Sequence, residues 1–121
     1  MSFDFDNNIP IYIQLVEQLK IYIISEEIKP GERLPSVRDL ALKSKVNPNT
    51  MQKALSELED LKLIYTERTN GKFVTKDKEL INKFKEEYAK EISNKYFLNM
   101  KSIGFDKEET IDYLKKLGGD K

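Results

Sequence analysis

The run Lys45-Val46-Asn47-Pro48 constrains this chain more than any other stretch. Proline has no N–H to give and a fixed φ, so it is expelled from helix interiors but fits the first helical position. Asn47, just before it, is a good N-cap. A helix arriving from the N-terminal side must therefore stop, and another must start at once. The arriving helix is short: it begins at Ser36, which with Asp39 resembles a capping box, and its apolar face is Val37, Leu40 and Ala41. In the departing helix Met51, Ala54, Leu55, Leu58 and Leu61 recur at three- and four-residue steps and must face a core. By elimination Asn49, Gln52, Lys53 and Ser56 face outward. Two helices joined by a tight turn, the second exposing amides and a cation, are what a helix-turn-helix needs.

The neighbouring segments fit that unit. Pro10 opens an earlier helix whose stripe is Tyr12, Leu15, Val16, Leu19, Tyr22 and Ile23, fading near Glu26 before the turn signal Lys29-Pro30-Gly31. After the third helix come two short β-like runs, Leu63 to Arg68 and Lys72 to Thr75, around Asn70-Gly71. Asn-Gly between such runs predicts a type I′ hairpin, with positive φ at both central residues. A hairpin whose tip is flanked by Arg68 and Lys72, directly after the exposed helix, reads as a wing. Beyond Lys76, the stripe Ile81, Phe84, Tyr88, Ile92, Tyr96 and Met100 predicts a helix of roughly twenty residues ending at Gly104. Asp106 and Glu109 open a last helix carrying Ile111, Leu114 and Leu117. The expected fold is mainly α with a small β-hairpin: a winged helix-turn-helix over residues 1–76, then a short two-helix dimerisation region over residues 77–121.

Composition narrows the function. With neither cysteine nor histidine, disulfides, thiolate metal sites and the commonest general base are excluded, and no metal, cofactor or catalytic residue is expected. The start lacks a basic, apolar leader, and no window nears the roughly 18 apolar residues that span a bilayer. A cytoplasmic, non-membrane, non-enzymatic protein is expected. Net charge is zero overall, but residues 1–33 carry −3, residues 34–76 carry +3 and residues 77–121 are neutral. The helix-turn-helix and wing are thus the electropositive third.

The outward residues suit nucleic acid. Asn and Gln bond bidentately to adenine, Lys donates to guanine, and Ser or Thr serves base or phosphate. Thr50, in the first turn, can offer hydroxyl and N–H to a phosphate. Arg38 opposes the dipole at the start of its helix, which points to an external anion; a salt bridge to Asp39 or Glu32 is the plainer alternative. The wing's cations can reach a minor groove or phosphates. Polar residues also coat any amphipathic helix, and Asn-Gly hairpins are common surface turns, so position in the chain is what joins these signals. The C-terminal stripe needs a cover. A second subunit supplies one, although its aromatics can also line a small pocket.

Read together, these residues resemble the N-terminal domain of the GntR family of regulators. Ile9-Pro10-Ile11-Tyr12-Ile13-Gln14-Leu15 is similar to the family's opening P-I-Y-x-Q-L. Lys29-Pro30-Gly31-Glu32-Arg33-Leu34-Pro35-Ser36-Val37-Arg38-Asp39-Leu40-Ala41 is similar to P-G-E-R-L-P-S-x-R-x-L-A. Val46-Asn47-Pro48-Asn49-Thr50, Ala54-Leu55, Leu58-Glu59, Leu63-Ile64-Tyr65 and Gly71-Lys72-Phe73-Val74 continue in register, so the resemblance covers most of residues 9 to 75. The V-N-P-N-T turn and the short two-helix tail resemble the YtrA subfamily of dimeric repressors, often of transporter genes. The resemblance implies DNA contacts at Arg38, Asn49, Thr50, Gln52 and Lys53, with wing contacts near Asn70, Gly71 and Lys72. The departures are the missing glycine near Glu26, Lys62 where the family usually carries glycine, Asn49 where many carry arginine, and Thr69-Asn70-Gly71 in place of G-x-G.

The expected function is sequence-specific binding of double-stranded, palindromic operator DNA by a homodimer, with Ser56 and Arg68 added to the contacts above. A winged helix used to dock a protein is the competing reading; it requires an apolar patch on the third helix, where this sequence has polar residues. A small-molecule effector is compatible but not evident, since the short tail leaves little volume for a pocket.

Overall fold

The computed structural model describes residues 1–119. Their order is α1 (Ile11–Ile24), α2 (Val37–Ser44), α3 (Pro48–Asp60), β1 (Ile64–Glu67), β2 (Gly71–Val74), α4 (Lys78–Ser102) and α5 (Lys107–Gly118). Contacts gather residues 1–84 into one compact unit and the chain from Lys85 onward into another, so the division falls inside α4.

In the first unit, α1 packs on α3 and α2 packs on α3. The spacing of the apolar positions explains which faces meet. Leu15, Val16, Leu19 and Ile23 of α1 are buried, as are Leu40 and Ala41 of α2 and Met51, Ala54, Leu55 and Leu58 of α3. The four α3 side chains are all fully buried. Burial of each large side chain contributes about 1.5–3 kcal/mol before ordering costs, so α3 is the hub of this core. The N-terminal arm is fastened to α1 by side chains that periodicity does not reveal. The Gln14 amide donates to the Asp6 and Ile9 carbonyls, each at 2.7 Å, and accepts from the Asp6 N–H at 2.7 Å. Phe3 meets Tyr22 edge-on at 5.7 Å.

Local chemistry sets the helix ends. Ser36 Oγ accepts from the Asp39 N–H at 3.1 Å, and Asn47 Oδ1 accepts from the Asn49 N–H at 2.7 Å with Pro48 as the first helical residue. Both α2 and α3 close with a paired bond that satisfies their last carbonyls. In α2, Lys45 N–H reaches the Leu42 carbonyl and Val46 N–H the Ala41 carbonyl; in α3, Lys62 N–H reaches Glu59 and Leu63 N–H reaches Leu58. This closure requires a left-handed residue, and Lys45 (φ 58°), Lys62 (φ 67°) and Glu26 after α1 (φ 60°) supply it without being glycine. Glu26 and Lys62, at or near the two positions where the resemblance implies glycine, are therefore strained backbone positions. Lys62→Gly is expected to raise stability by about 0.5–1 kcal/mol. Relief of left-handed strain is worth about 1–2 kcal/mol, and extra freedom of the unfolded chain takes back part of it. Thermal unfolding checks this: an unchanged or lower Tm contradicts it.

The hairpin differs from expectation at its turn. β1 and β2 pair antiparallel with Ile64 opposite Val74, Tyr65 opposite Phe73, Thr66 opposite Lys72 and Glu67 opposite Gly71. The loop is thus Arg68-Thr69-Asn70, not a two-residue Asn-Gly turn. Asn70 N–H bonds the Glu67 carbonyl at 3.2 Å, and Gly71 alone takes positive φ, at 103°. The physical reason is register: the ladder closes on Gly71, which leaves three loop residues and puts the glycine at a strand start. Residues 31–34, read above only as a turn and the approach to α2, lie along β2 as a short third partner. Leu34 N–H donates to the Lys72 carbonyl at 2.8 Å, Val74 N–H to Glu32 at 2.9 Å, and Gly31 N–H to Val74 at 2.9 Å.

In the second unit α5 starts with the expected capping box: Asp106 accepts from the Glu109 N–H at 2.8 Å and Glu109 from the Asp106 N–H at 3.1 Å. Thr110, fully buried, donates its hydroxyl to the Asp106 carbonyl at 2.7 Å. Gly104, at φ 98°, turns the chain between α4 and α5, and Phe105 packs edge-on against Tyr113 at 5.7 Å. Among the described residues, no helix is long and apolar enough to cross a membrane.

Candidate nucleic-acid interface

Because Met51, Ala54, Leu55 and Leu58 consume the inner face of α3, the geometry of a 3.6-residue helix leaves Asn49, Gln52, Lys53 and Ser56 outside, and all four are exposed. Thr50 is half-buried, and its hydroxyl has no partner among the described residues. The outer face is partly pre-ordered. Gln52 donates through Nε2 to Ser56 Oγ at 3.3 Å, one turn along. The Lys53 ammonium lies 4.3 Å from the centre of the Tyr12 ring, a cation–π contact from α1 that sequence spacing gives no hint of. The neighbouring Glu57 carboxylate, with some desolvation and the Asp60 charge, raises the Tyr12 pKa.

Arg38 is exposed in the first turn of α2, and among the described residues no carboxylate pairs with it. The salt-bridge alternative to Asp39 or Glu32 is thus absent from the structure. Ser36 already caps Asp39's N–H, and the Glu32 carboxylate accepts from the Lys29 N–H at 2.9 Å.

The wing residues divide. Arg68 is exposed in the loop and has no partner among the described residues. Asn70 is exposed, and its amide donates to Glu67 Oε2 at 3.0 Å. Gly71 opens β2. Lys72, expected as a tip cation, instead turns back along the hairpin: its ammonium is 3.3 Å from Glu59 and 3.0 Å from the Thr66 hydroxyl. The same cluster lowers the Glu59 pKa, chiefly through the Thr66 hydroxyl, with the Lys72 ammonium assisting and partial burial opposing. The strand alternation explains it, because Thr66 and Lys72 are opposite one another in the ladder and share one face.

Of the expected dimerisation stripe, Ile81 is buried within the first unit and Met100 within the second. Phe84, Tyr88 and Tyr96 are half-buried, and Ile92 is 60% exposed. The second unit also exposes Leu98, Ile103 and Leu117, which the α4 stripe did not include. It holds an open groove of about 740 Å³ lined by Asn94, Phe97, Leu98, Lys101 and Phe105, more volume than the length of the tail suggests.

A helix-turn-helix, an outward α3 face of amides, hydroxyl and cation, and a hairpin wing define a DNA-binding transcription regulator rather than an enzyme. Sequence comparison identifies the kind. The profile described as "Bacterial regulatory proteins, gntR family" matches residues 11–74, and the chain belongs to the GntR family. It is 36% identical over 115 residues to the HTH-type transcriptional regulator YhcF of Bacillus subtilis (strain 168), covering 95% of each chain. It is 33% identical over 112 residues to the HTH-type transcriptional repressor YtrA of the same organism, covering 92% of this chain and 86% of that one. Among solved structures, a GntR family transcriptional regulator from Listeria monocytogenes superposes with a TM-score of 0.84 at 39% identity, covering 93% of this chain and 98% of that one.

Proposed function

We propose that the protein is a cytoplasmic homodimeric repressor that occupies a palindromic operator and blocks transcription of an operon such as one encoding a transporter. The observation that carries this reading is the outward face of α3, with Gln52, Lys53 and Ser56 exposed, together with an exposed Arg38 in α2 that no carboxylate among the described residues neutralises. Such a cation, left uncompensated at a helix start, is favourable once a phosphate meets it. Arg38, Thr50, Lys53, Arg68 and Lys72 supply backbone contacts, and Asn49, Gln52, Ser56 and the tip residues Asn70 and Gly71 read the grooves. Lys72 can serve only at the cost of loosening its Glu59 contact.

The dimer reading is supported by apolar surface that the described chain leaves uncovered in its tail, at Ile92, Leu98, Ile103 and Leu117, and a two-fold operator calls for a two-fold protein. Two recognition helices then need to sit about 34 Å apart, one DNA turn, and an effector would act by changing that spacing. Nuclease footprinting over the promoter of the protein's own operon tests the reading. The expected result is one protected site with two-fold sequence symmetry holding two protomers. A protected site holding one protomer on an asymmetric sequence contradicts the dimer.

A further inference from the structure

The wing carries a cation that hairpin patterning does not reveal. Arg33 lies on the extended residues that run along β2, paired with Phe73 across an antiparallel bridge and flanked by the Leu34-to-Lys72 and Val74-to-Glu32 backbone bonds. Its backbone is thereby fixed to the wing. Its side chain passes directly over the first residue of β2: a Cβ added at Gly71 would stand 3.2 Å from Arg33 Nε and 3.5 Å from Nη2. The φ of 103° is what Gly71 needs glycine for, and the Arg33 guanidinium lies against its open face.

The carboxylates around the wing are already engaged. Glu32 accepts from the Lys29 N–H, Glu67 from the Asn70 amide, and Glu59 from Lys72 and Thr66. Arg33 is exposed, and among the described residues it has no hydrogen bond, ion pair or ring contact. Lys72, the cation the sequence places at the tip, is held by Glu59; Arg33, from outside the hairpin, is left available beside Gly71, as Arg68 is in the loop. A guanidinium on fixed backbone, unpaired and exposed, matches the fork geometry of a phosphate.

We propose that Arg33 is a DNA-phosphate contact of the wing, seated over Gly71. The inference rests on the DNA-binding reading above. A phosphate contact is blind to sequence, so a mixed-sequence duplex is a sufficient probe. The test titrates that duplex with the full chain, wild type against Arg33→Gln and Arg33→Lys, at several salt concentrations, with a thermal melt of each variant. Arg33→Gln is expected to bind about tenfold more weakly at low salt, with the log–log salt slope shallower by about 0.9. Its Tm should match the wild type, since no internal partner is lost. Arg33→Lys should restore the slope and only part of the affinity. Wild-type slope and affinity in Arg33→Gln overturn the proposal and leave DNA binding standing, and so does a lowered Tm with an unchanged slope, which assigns Arg33 a structural role. Failure of the wild type to bind any duplex overturns both readings.

Discussion

Leu55→Ala is expected to lower the Tm by roughly 10–30 °C. Leu55 is fully buried on the α3 face that packs on α1, and no solvent can fill the space a smaller side chain would leave. Large-to-small changes at such sites cost about 2–5 kcal/mol, and in a unit of this size each kcal/mol moves Tm by about 4–8 °C. That is a large share of the few kcal/mol by which small domains are stable. DNA binding should fall in parallel, because α3 is at once the hub of the core and the bearer of the outward face. Leu42→Ala is the matched control: Leu42 is 70% exposed on α2, and its loss should stay within about 0.5 kcal/mol. Equal melting behaviour of the two variants, measured by circular dichroism, would mean that the α1–α3 contact is not what holds the unit together.

Arg38→Ala should have the opposite profile, unchanged stability with a large loss of DNA affinity. The side chain is exposed and has no partner among the described residues, so its removal breaks no bond among them. It also relieves an unfavourable placement of positive charge at the start of α2, which gives Tm a slight upward tendency. A charge-assisted contact to phosphate is worth about 1.5–3 kcal/mol, corresponding to a loss of roughly ten- to a hundredfold in binding. Arg38→Lys should recover part of this, since an ammonium keeps the charge but not the bidentate geometry. Paired melts and fluorescence anisotropy separate the outcomes; a Tm drop of several degrees would place Arg38 in the fold instead.

The elements most legible in the sequence were those whose local signals and burial pattern coincide. Asn47-Pro48 specifies a helix start whatever surrounds it, and α3 begins there. The three- and four-residue apolar steps of α3 give its inner face, and the outer face follows by exclusion. The GntR signature places the chain in its family from sequence alone. What stayed hidden depended on register or on contacts distant in sequence. Two short β-like runs around Asn-Gly do not specify which residues pair, so the three-residue loop at Arg68-Thr69-Asn70 was not readable. The bond from Leu34 to Lys72 joins residues far apart in the chain, so the third partner of the hairpin went unseen, and Arg33 with it. Lys53 on Tyr12 and Lys72 on Glu59 are of the same kind: long, flexible cations whose destination is set by tertiary neighbours. The glycine departures near Glu26 and at Lys62 were visible as departures, but their meaning as left-handed helix closures needed the backbone angles.

Binding to the promoter of the protein's own operon, titrated at controlled salt with random duplex as competitor, tests the central claim most directly. Wild-type protein should bind that promoter with two protomers per site and far more tightly than the competitor. Gln52→Ala should lose most of that preference while keeping its affinity for random duplex, because Gln52 is exposed on the outer face of α3, proposed above to read bases, and is not in the core. Promoter binding no tighter than random duplex at every salt, or Gln52→Ala discriminating as well as wild type, would contradict sequence reading by α3.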